Sequence, residues 1–257
     1  MTEIHPTALV DPKAELGSNV KIGPYSIVEG GVTIGDETEI RSHAVIAEGT
    51  TIGKKCFVSP GAVIGTKPQD LKFEDEKTFV EIGDYTTIRE FATVNRATSY
   101  SYYTRVGSHC LLMAYSHIAH DCHLGDHVII ANAVNMAGHV TIDNHVGIGG
   151  MTAIHQFVHI GAHSFIGGGL RVTKDVPPYI LAMGDPLTYG GLNLVGLKRR
   201  GFSSETLGLL KKAYKTLYRS NLTLQEAIQH LSSEYPQTDE IKYLIDFLKR
   251  SERGVIR

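Results

Sequence analysis

An aliphatic residue recurs every six positions through most of this chain, in a single register. The series opens Ile4, Val10, Leu16, Ile22, Val28, Ile34 and closes Ile148, Ile154, Ile160, Ile166, Val172. Of its 29 slots, 25 hold Ile, Leu or Val and one holds Met136, so accident does not explain it. A period of six fits neither a 3.6-residue helix nor the two-residue alternation of a half-buried strand. It is the signature of a repeat architecture. The position four after each aliphatic is small or β-branched, as at Ala8, Ala14, Val20, Ser26, Val32, Thr38, Thr152 and Ser164. The aliphatic and the small residue can both point inward from short strands, with a corner between them. Gly often follows the aliphatic, and the expectation is that it serves the unusual φ/ψ of that corner. Three hexads then close one triangular coil. About ten such coils, stacked at ~4.8 Å, make a prism on the order of 45 Å long with a continuous aliphatic core. The period itself specifies a parallel β-helix and leaves its hand open.

The register is interrupted twice without losing phase. Residues 66–79 replace two aliphatic slots and residues 99–105 replace one. Both are expected to be loops leaving the prism. Loops on a rigid scaffold often carry function, and solvated flaps are the alternative. After Val172 the repeats stop, Pro177 and Pro178 follow, and the pattern turns helical from about Leu192. Ser203 or Ser204 caps a helix through Arg219 with Leu207, Leu210, Ala213, Tyr214, Leu217 and Tyr218 on one face. Thr223 to Glu226 reads as a capping box for a second helix, and a third covers Asp239 to Lys249. The expected division is a β-helix over residues 1–178 and a helical domain over 179–257.

Composition narrows the function. A net charge of −2 excludes the strong basic bias of a nucleic-acid binder. No apolar run is long enough to span a membrane, and the first residues resemble no signal peptide, so a cytoplasmic protein is expected. Cys56, Cys110 and Cys122 all occupy the small inward slot and read as reduced core residues. Positive charge concentrates in residues 187–224, where Lys198, Arg199, Arg200, Lys211, Lys212, Lys215 and Arg219 face one acid, Glu205. This is either a solvated helix face or a landing patch for an acidic partner.

Ten of the thirteen histidines lie between His109 and His163. His109, His127, His145 and His163 are each three hexads apart, so they form a ladder along one corner and do not converge. His120, Gly138 and Gln156 share the same spacing along another edge, flanked by His117, His139 and His155. A general base fits here, because His titrates near neutrality and Asp121 adjoins His120. The spacing also permits a metal site.

These segments resemble a known family. His117-Ile-Ala-His120-Asp-Cys, Met136-Ala-Gly138-His139, Gly149-Gly-Met-Thr-Ala-Ile-His155-Gln156-Phe157, Asp175-Val-Pro-Pro-Tyr179, Gly196-Leu-Lys-Arg-Arg-Gly-Phe202 and Gln69-Asp70-Leu71-Lys72 are similar, in this order, to the UDP-N-acetylglucosamine O-acyltransferases of lipid A biosynthesis. The resemblance implies a left-handed β-helix and a homotrimer with active sites between prisms. It implies transfer of an acyl group from acyl carrier protein to the 3-hydroxyl of UDP-N-acetylglucosamine, with no cofactor and no metal. His120 would be the base, Asp121 its partner and the Gly138 amide the oxyanion donor. Asp70, Lys72, His117, His139, His155 and Gln156 would bind the sugar nucleotide or acyl chain. Asn193, Arg199 and Arg200 would lie at the uridine diphosphate end. Gly168 would set acyl-chain length, favouring about twelve to fourteen carbons. One position departs: where better-known members carry Glu, this chain has Val195. The competing expectations are a 3-amino sugar acceptor, the glucosamine N-acyltransferase of the same pathway, a zinc hydratase of the γ-carbonic anhydrase type, and a prism with no catalytic role.

Overall fold

The computed structural model describes residues 1–257. Each hexad contributes a short strand whose outward residue precedes the buried aliphatic, as in Lys21–Ile22 and Phe57–Val58. Strands three hexads apart pair in parallel, Ile4 with Ile22 and Ile22 with Ile40. The chain folds as a left-handed parallel β-helix whose three faces are three parallel sheets. The first face holds the strands of Ile4, Ile22 and Ile40, the second those of Val10 and Val28, the third those of Leu16 and Ile34. At the interruptions Val58 pairs with Ile88, and Ile88 with Leu112. The pairing distance therefore widens from three hexads to five and then to four. Both segments are excursions from an unbroken prism, as the phase predicts.

Two expectations need correction. The left-handed corner residue is not the glycine after the aliphatic. It lies three positions after the aliphatic and is usually not glycine: Asn19, Tyr25, Glu37, His43, His127 and His145 all have φ between 57° and 61°. That conformation costs roughly 1–2 kcal/mol per L-residue. Stacking offsets it, because these side chains lie above one another, as in Tyr25 on His43 and Phe91 on Tyr115 at 5.2 and 5.3 Å. The glycine after the aliphatic serves close approach instead. A Cβ on Gly35 would sit 2.6 Å from the carbonyl carbon of Gly53 in the next coil. The second correction concerns residues 99–105. The excursion lies earlier, over 96–102, because Thr93–Asn95 still pairs along the second face and Tyr103–Val106 already pairs along the third face with Phe79–Ile82, with Tyr103 stacked on Phe79.

The histidine ladder is present, with ring centroids 4.9, 4.6 and 4.8 Å apart from His109 to His163. It is surface decoration only in its lower half. His163 is half-buried beneath Tyr179 and Phe202, and burial, then His145 and Arg200, push its imidazole down to about 4. The three cysteines are buried and free, and burial raises the Cys110 and Cys122 thiols to about 11 and 12.

Past residue 178 the first face continues. Ile180–Met183 pairs in parallel with Phe165–Ile166, then turns back antiparallel against Thr188–Leu192. Four helices follow: α1 (Leu194–Arg199), α2 (Ser204–Arg219), α3 (Leu224–Glu234) and α4 (Asp239–Arg250). Ser203 caps α2, and Thr223 with Glu226 forms the capping box of α3. The expected face of α2 is buried through Leu207, Leu210, Ala213, Tyr214 and Leu217, while Tyr218 is half-buried with its hydroxyl donating to the Ile256 carbonyl. One cluster of 57 buried residues runs from Val20 to Ile256, so helices and prism share a core. The helices thereby cap the last coil, whereas the first coil has no such cover and leaves Ile4 46% exposed.

Candidate active site

The corner between the second and third faces carries His120, Gly138 and Gln156 on successive coils, as their spacing predicts. With Gln69, Asp70 and Lys72 of the first excursion, and His117, His139 and Phe157, they line a cleft of about 670 Å³. His117 stands on a strand of the second face, its Nδ1 2.7 Å from Thr93 Oγ1. Burial, then His120, lowers its pKa. Asp70 accepts the Lys72 amide at 3.0 Å, which shapes the loop and leaves the Lys72 side chain exposed.

His120 Nδ1 lies 2.7 Å from Asp121 Oδ2. The Asp121 side chain is fully buried and its backbone is left-handed, φ 59°. Burial pushes its carboxyl up. Hydrogen bonds from His120, Ser101 and Thr98 outweigh burial and hold it well below the ordinary carboxylate range. Asp121 is therefore an anion, and His120 donates to it through Nδ1–H. The tautomer that follows leaves Nε2 with its lone pair free.

Gly138 packs against the face of that ring. A Cβ there would stand 2.5 Å from His120 Cε1 and 2.7 Å from Nε2, so glycine is what lets the ring occupy its place. The Gly138 amide donates to no group of the chain. His139 stacks on Phe157 at 4.4 Å and stands edge-on to His120 at 5.0 Å. Burial is the main reason its pKa falls, and its Nδ1 is buried with no partner, 3.9 Å from Asp121 Oδ2.

His120, Asp121 and His139 offer nitrogen and oxygen atoms within 4.8 Å of one another. They do not fit a resident metal. His120 Nδ1 and Asp121 Oδ2 are bonded to each other, and both Asp121 oxygens accept from Thr98 and Ser101. His120 Nε2 and the His139 nitrogens stay uncommitted, but no carboxylate oxygen is left to join them in a ligand set.

The remaining expected residues lie elsewhere on the chain. His155 is exposed beside Gln156 but outside the cleft lining. Gly168 is at the corner between the first and second faces, where its Cβ would meet the Gly150 carbonyl at 3.0 Å. Asn193, Arg199 and Arg200 belong to the opening of the helical segment at the third corner. Asn193 caps α1 and donates to the His163 carbonyl at 2.9 Å, and Arg200 donates to the His145 carbonyl at 3.1 Å. Arg199 and Val195 are exposed. One chain thus distributes these residues over three corners.

Sequence reasoning located the second excursion but missed its contacts with the site. Thr98 and Ser101 bond Asp121, and Tyr100 stands edge-on over His139 at 4.5 Å. The available signal was the pair of hydroxyl residues three apart in a segment whose only obvious property was polarity.

The family model described as Udp N-acetylglucosamine O-acyltransferase, domain 2, matches residues 175–256. The one described as bacterial transferase hexapeptide (six repeats) matches 13–48, 31–66 and 103–138. The chain is 59% identical over 256 residues to the acyl-(acyl-carrier-protein)–UDP-N-acetylglucosamine O-acyltransferase of Sulfurihydrogenibium sp. (strain YO3AOP1), covering 99% of this chain and 94% of that one. It is 48% identical over 258 residues to the protein of the same name from Thiobacillus denitrificans, covering both completely. The solved UDP-N-acetylglucosamine acyltransferase of Bacteroides fragilis superposes with a TM-score of 0.96 at 43% identity, over 98% of this chain and 99% of that one.

Proposed function

Because this chain belongs to the UDP-N-acetylglucosamine O-acyltransferase family, we propose that His120 is the general base of its acyl transfer. The enzyme moves a (3-hydroxy)acyl group from the thioester of acyl carrier protein to the 3-position of UDP-N-acetylglucosamine, the first step of lipid A biosynthesis. His120 Nε2 takes the proton of the sugar 3-hydroxyl as that oxygen attacks the thioester carbonyl. The tetrahedral oxyanion accepts the Gly138 N–H. Collapse breaks the carbon–sulfur bond, and the leaving thiolate takes the proton from Nε2. Asp121 stays ionised throughout and stabilises the imidazolium. A general base supplies roughly 10²–10⁴-fold, and one oxyanion donor roughly 10²–10³-fold. The observation that carries this reading is the His120–Asp121 pair with Gly138 against its ring and a free amide beside it.

Asp70, Lys72, His117, His139, His155 and Gln156 hold the sugar nucleotide and acyl chain, Asn193, Arg199 and Arg200 meet the diphosphate end, and Gly168 sets acyl length. No one chain brings its three corners into one cleft, so the reading includes a homotrimer whose sites form between prisms. The first face supports it: Phe57, Ile129 and Phe165 project outward from that face and are each at least 37% exposed, with Met151 at its corner 76% exposed. Exposed apolar side chains gathered along one face in this way suit an interface. The prism, with the strand pair that extends its first face to Leu192, carries the chemistry, and the helices from Leu194 onward receive the carrier protein on the basic α2. No helix is long and apolar enough to cross a membrane, and the reading places the enzyme in the cytoplasm with its two substrates.

Mixed oligomers test the shared site. His120→Ala and Arg200→Ala preparations, each inactive alone, should recover activity when unfolded and reassembled together, because some sites then receive both native residues. No recovery in mixed trimers verified by mass would assign both corners to one protomer's site.

A further inference from the structure

We propose that Thr98 and Ser101, in the second excursion, are positioning residues for the acyl transfer: they hold the Asp121 carboxylate in one orientation and, through it, the tautomer and ring plane of His120. The inference rests on the reading of His120 as the base.

The Asp121 side chain is fully buried, so water cannot compensate its charge and the protein must. The excursion does so through residues three apart. The Thr98 hydroxyl donates to Oδ2 at 2.7 Å, and the Thr98 amide approaches both oxygens at 3.2 Å. The Ser101 hydroxyl and amide approach Oδ1 at 2.5 and 3.1 Å. Thr104 closes the set by accepting the Asp121 amide at 2.9 Å. Proton positions follow from the neighbours. Ser101 Oγ also lies 2.9 Å from the Tyr103 carbonyl, but its one proton belongs on the closer carboxylate, because an unprotonated 2.5 Å contact between two oxygens would be repulsive. Thr98 Oγ1 accepts the Tyr100 amide at 3.2 Å, which turns its own proton toward Asp121. One edge of Oδ2 remains for His120 Nδ1–H.

This explains why the excursion costs the prism a whole hexad: the added length carries Thr98 and Ser101 across the corner of the next coil, onto Asp121. Around the dyad the other titratable groups are His139, 3.9 Å from Oδ2, with Asp70 acting on it, His117, on which His120 acts, and His123 and Cys122, on both of which Asp121 acts. None of these supplies a second support for the carboxylate.

The test compares Thr98→Val with Ser101→Ala, singly and together, in the full-length protein with its melting temperature recorded. kcat should fall roughly 10–100-fold in the double variant, the cost of a misplaced base, while KM for the sugar nucleotide changes little. The acidic limb of kcat/KM against pH should move upward, because a carboxylate with fewer donors holds the imidazolium more tightly. Thr98→Ser and Ser101→Thr, which keep the hydroxyls, should restore most of the rate. In an Asp121→Asn background the double change should have almost no further effect, since both act through one group. An unshifted pH profile, equal losses in hydroxyl-retaining and hydroxyl-deleting variants, or full additivity with Asp121→Asn would overturn the proposal. If the double variant does not fold, the isosteric Thr98→Val alone is held to the same three criteria. His120→Ala run alongside separates the two failures: an active His120→Ala removes the base itself, whereas an inactive one beside a normal Ser101→Ala removes only the clamp.

Discussion

A methyl group on Gly138 has nowhere to go except into the His120 imidazole, 2.5 Å from Cε1. Gly138→Ala is therefore expected to displace the base and lower kcat on the order of 10²-fold without unfolding the prism, since the site is at a corner and outside the aliphatic column. Steady-state rates with a thermal melt check it, and a rate within threefold of the parent would mean that the ring retreats harmlessly. His120→Ala should nearly abolish transfer, by roughly 10²–10⁴-fold. A folded His120→Ala enzyme within tenfold of the parent would remove the base assignment. That His120, Gly138 and Gln156 share one edge was readable from their spacing, and their roles came from the family resemblance. The clamp of Thr98 and Ser101 was not, because its geometry depends on how a loop crosses the coil that follows it.

At the scale of elements, α2 divides its two faces sharply. Leu207, Leu210, Ala213, Tyr214 and Leu217 enter the core, while Lys211, Lys212, Lys215 and Arg219 are exposed without ion-pair partners. Lys211→Glu with Lys215→Glu should raise KM for the acyl carrier protein at low salt, with the difference shrinking as the Debye length falls toward ~3 Å at 1 M. Equal Michaelis constants at low salt would leave α2 as a solvated face. The corner at Gly168 offers a separate test. Gly168→Met should shift preference to shorter acyl chains, with discrimination per methylene of at most roughly 10–200-fold, and a panel of carrier thioesters reads the ranking. An unchanged ranking in the folded variant would return Gly168 to a turn residue. The strand pair Ile180–Met183 and Thr188–Leu192 was overlooked in the sequence because period-six reasoning ends at Val172, although Ile180 and Ala182 alternate inward with Leu181 and Met183.

At the scale of the molecule, the histidine ladder ties stability to pH. The folded His163 imidazole titrates at about 4 against 6.5 when unperturbed, with burial the leading cause. Between those values the unfolded chain binds a proton that the native chain refuses, so stability falls as pH drops from about 6.5 to about 4. Burial also lowers His145 and His139, which adds to the same slope. The melting temperature should decline across that window, and His163→Phe, which keeps a stacked ring but no titrating nitrogen, should flatten the decline. An identical slope in His163→Phe would place the pH dependence elsewhere.

The sequence by itself determined the coil, the phase, the inward residues and the ladder, because a six-residue repeat ties each position to one face and one height of the prism. It also determined the caps of α2 and α3, since Ser203, Thr223 and Glu226 act within their own turns. Only the tertiary structure decided where left-handed strain resides, because strain at His127 or Tyr25 is offset by a ring one coil away. It alone decided that Asp121 is a fully bonded anion, and that Arg200, outside the repeats, stands at a corner apart from those of His120 and Gly168. A hexad register states which corner a residue occupies. It is silent on what a loop lays across that corner, because those contacts join segments whose separation in the chain no local period encodes.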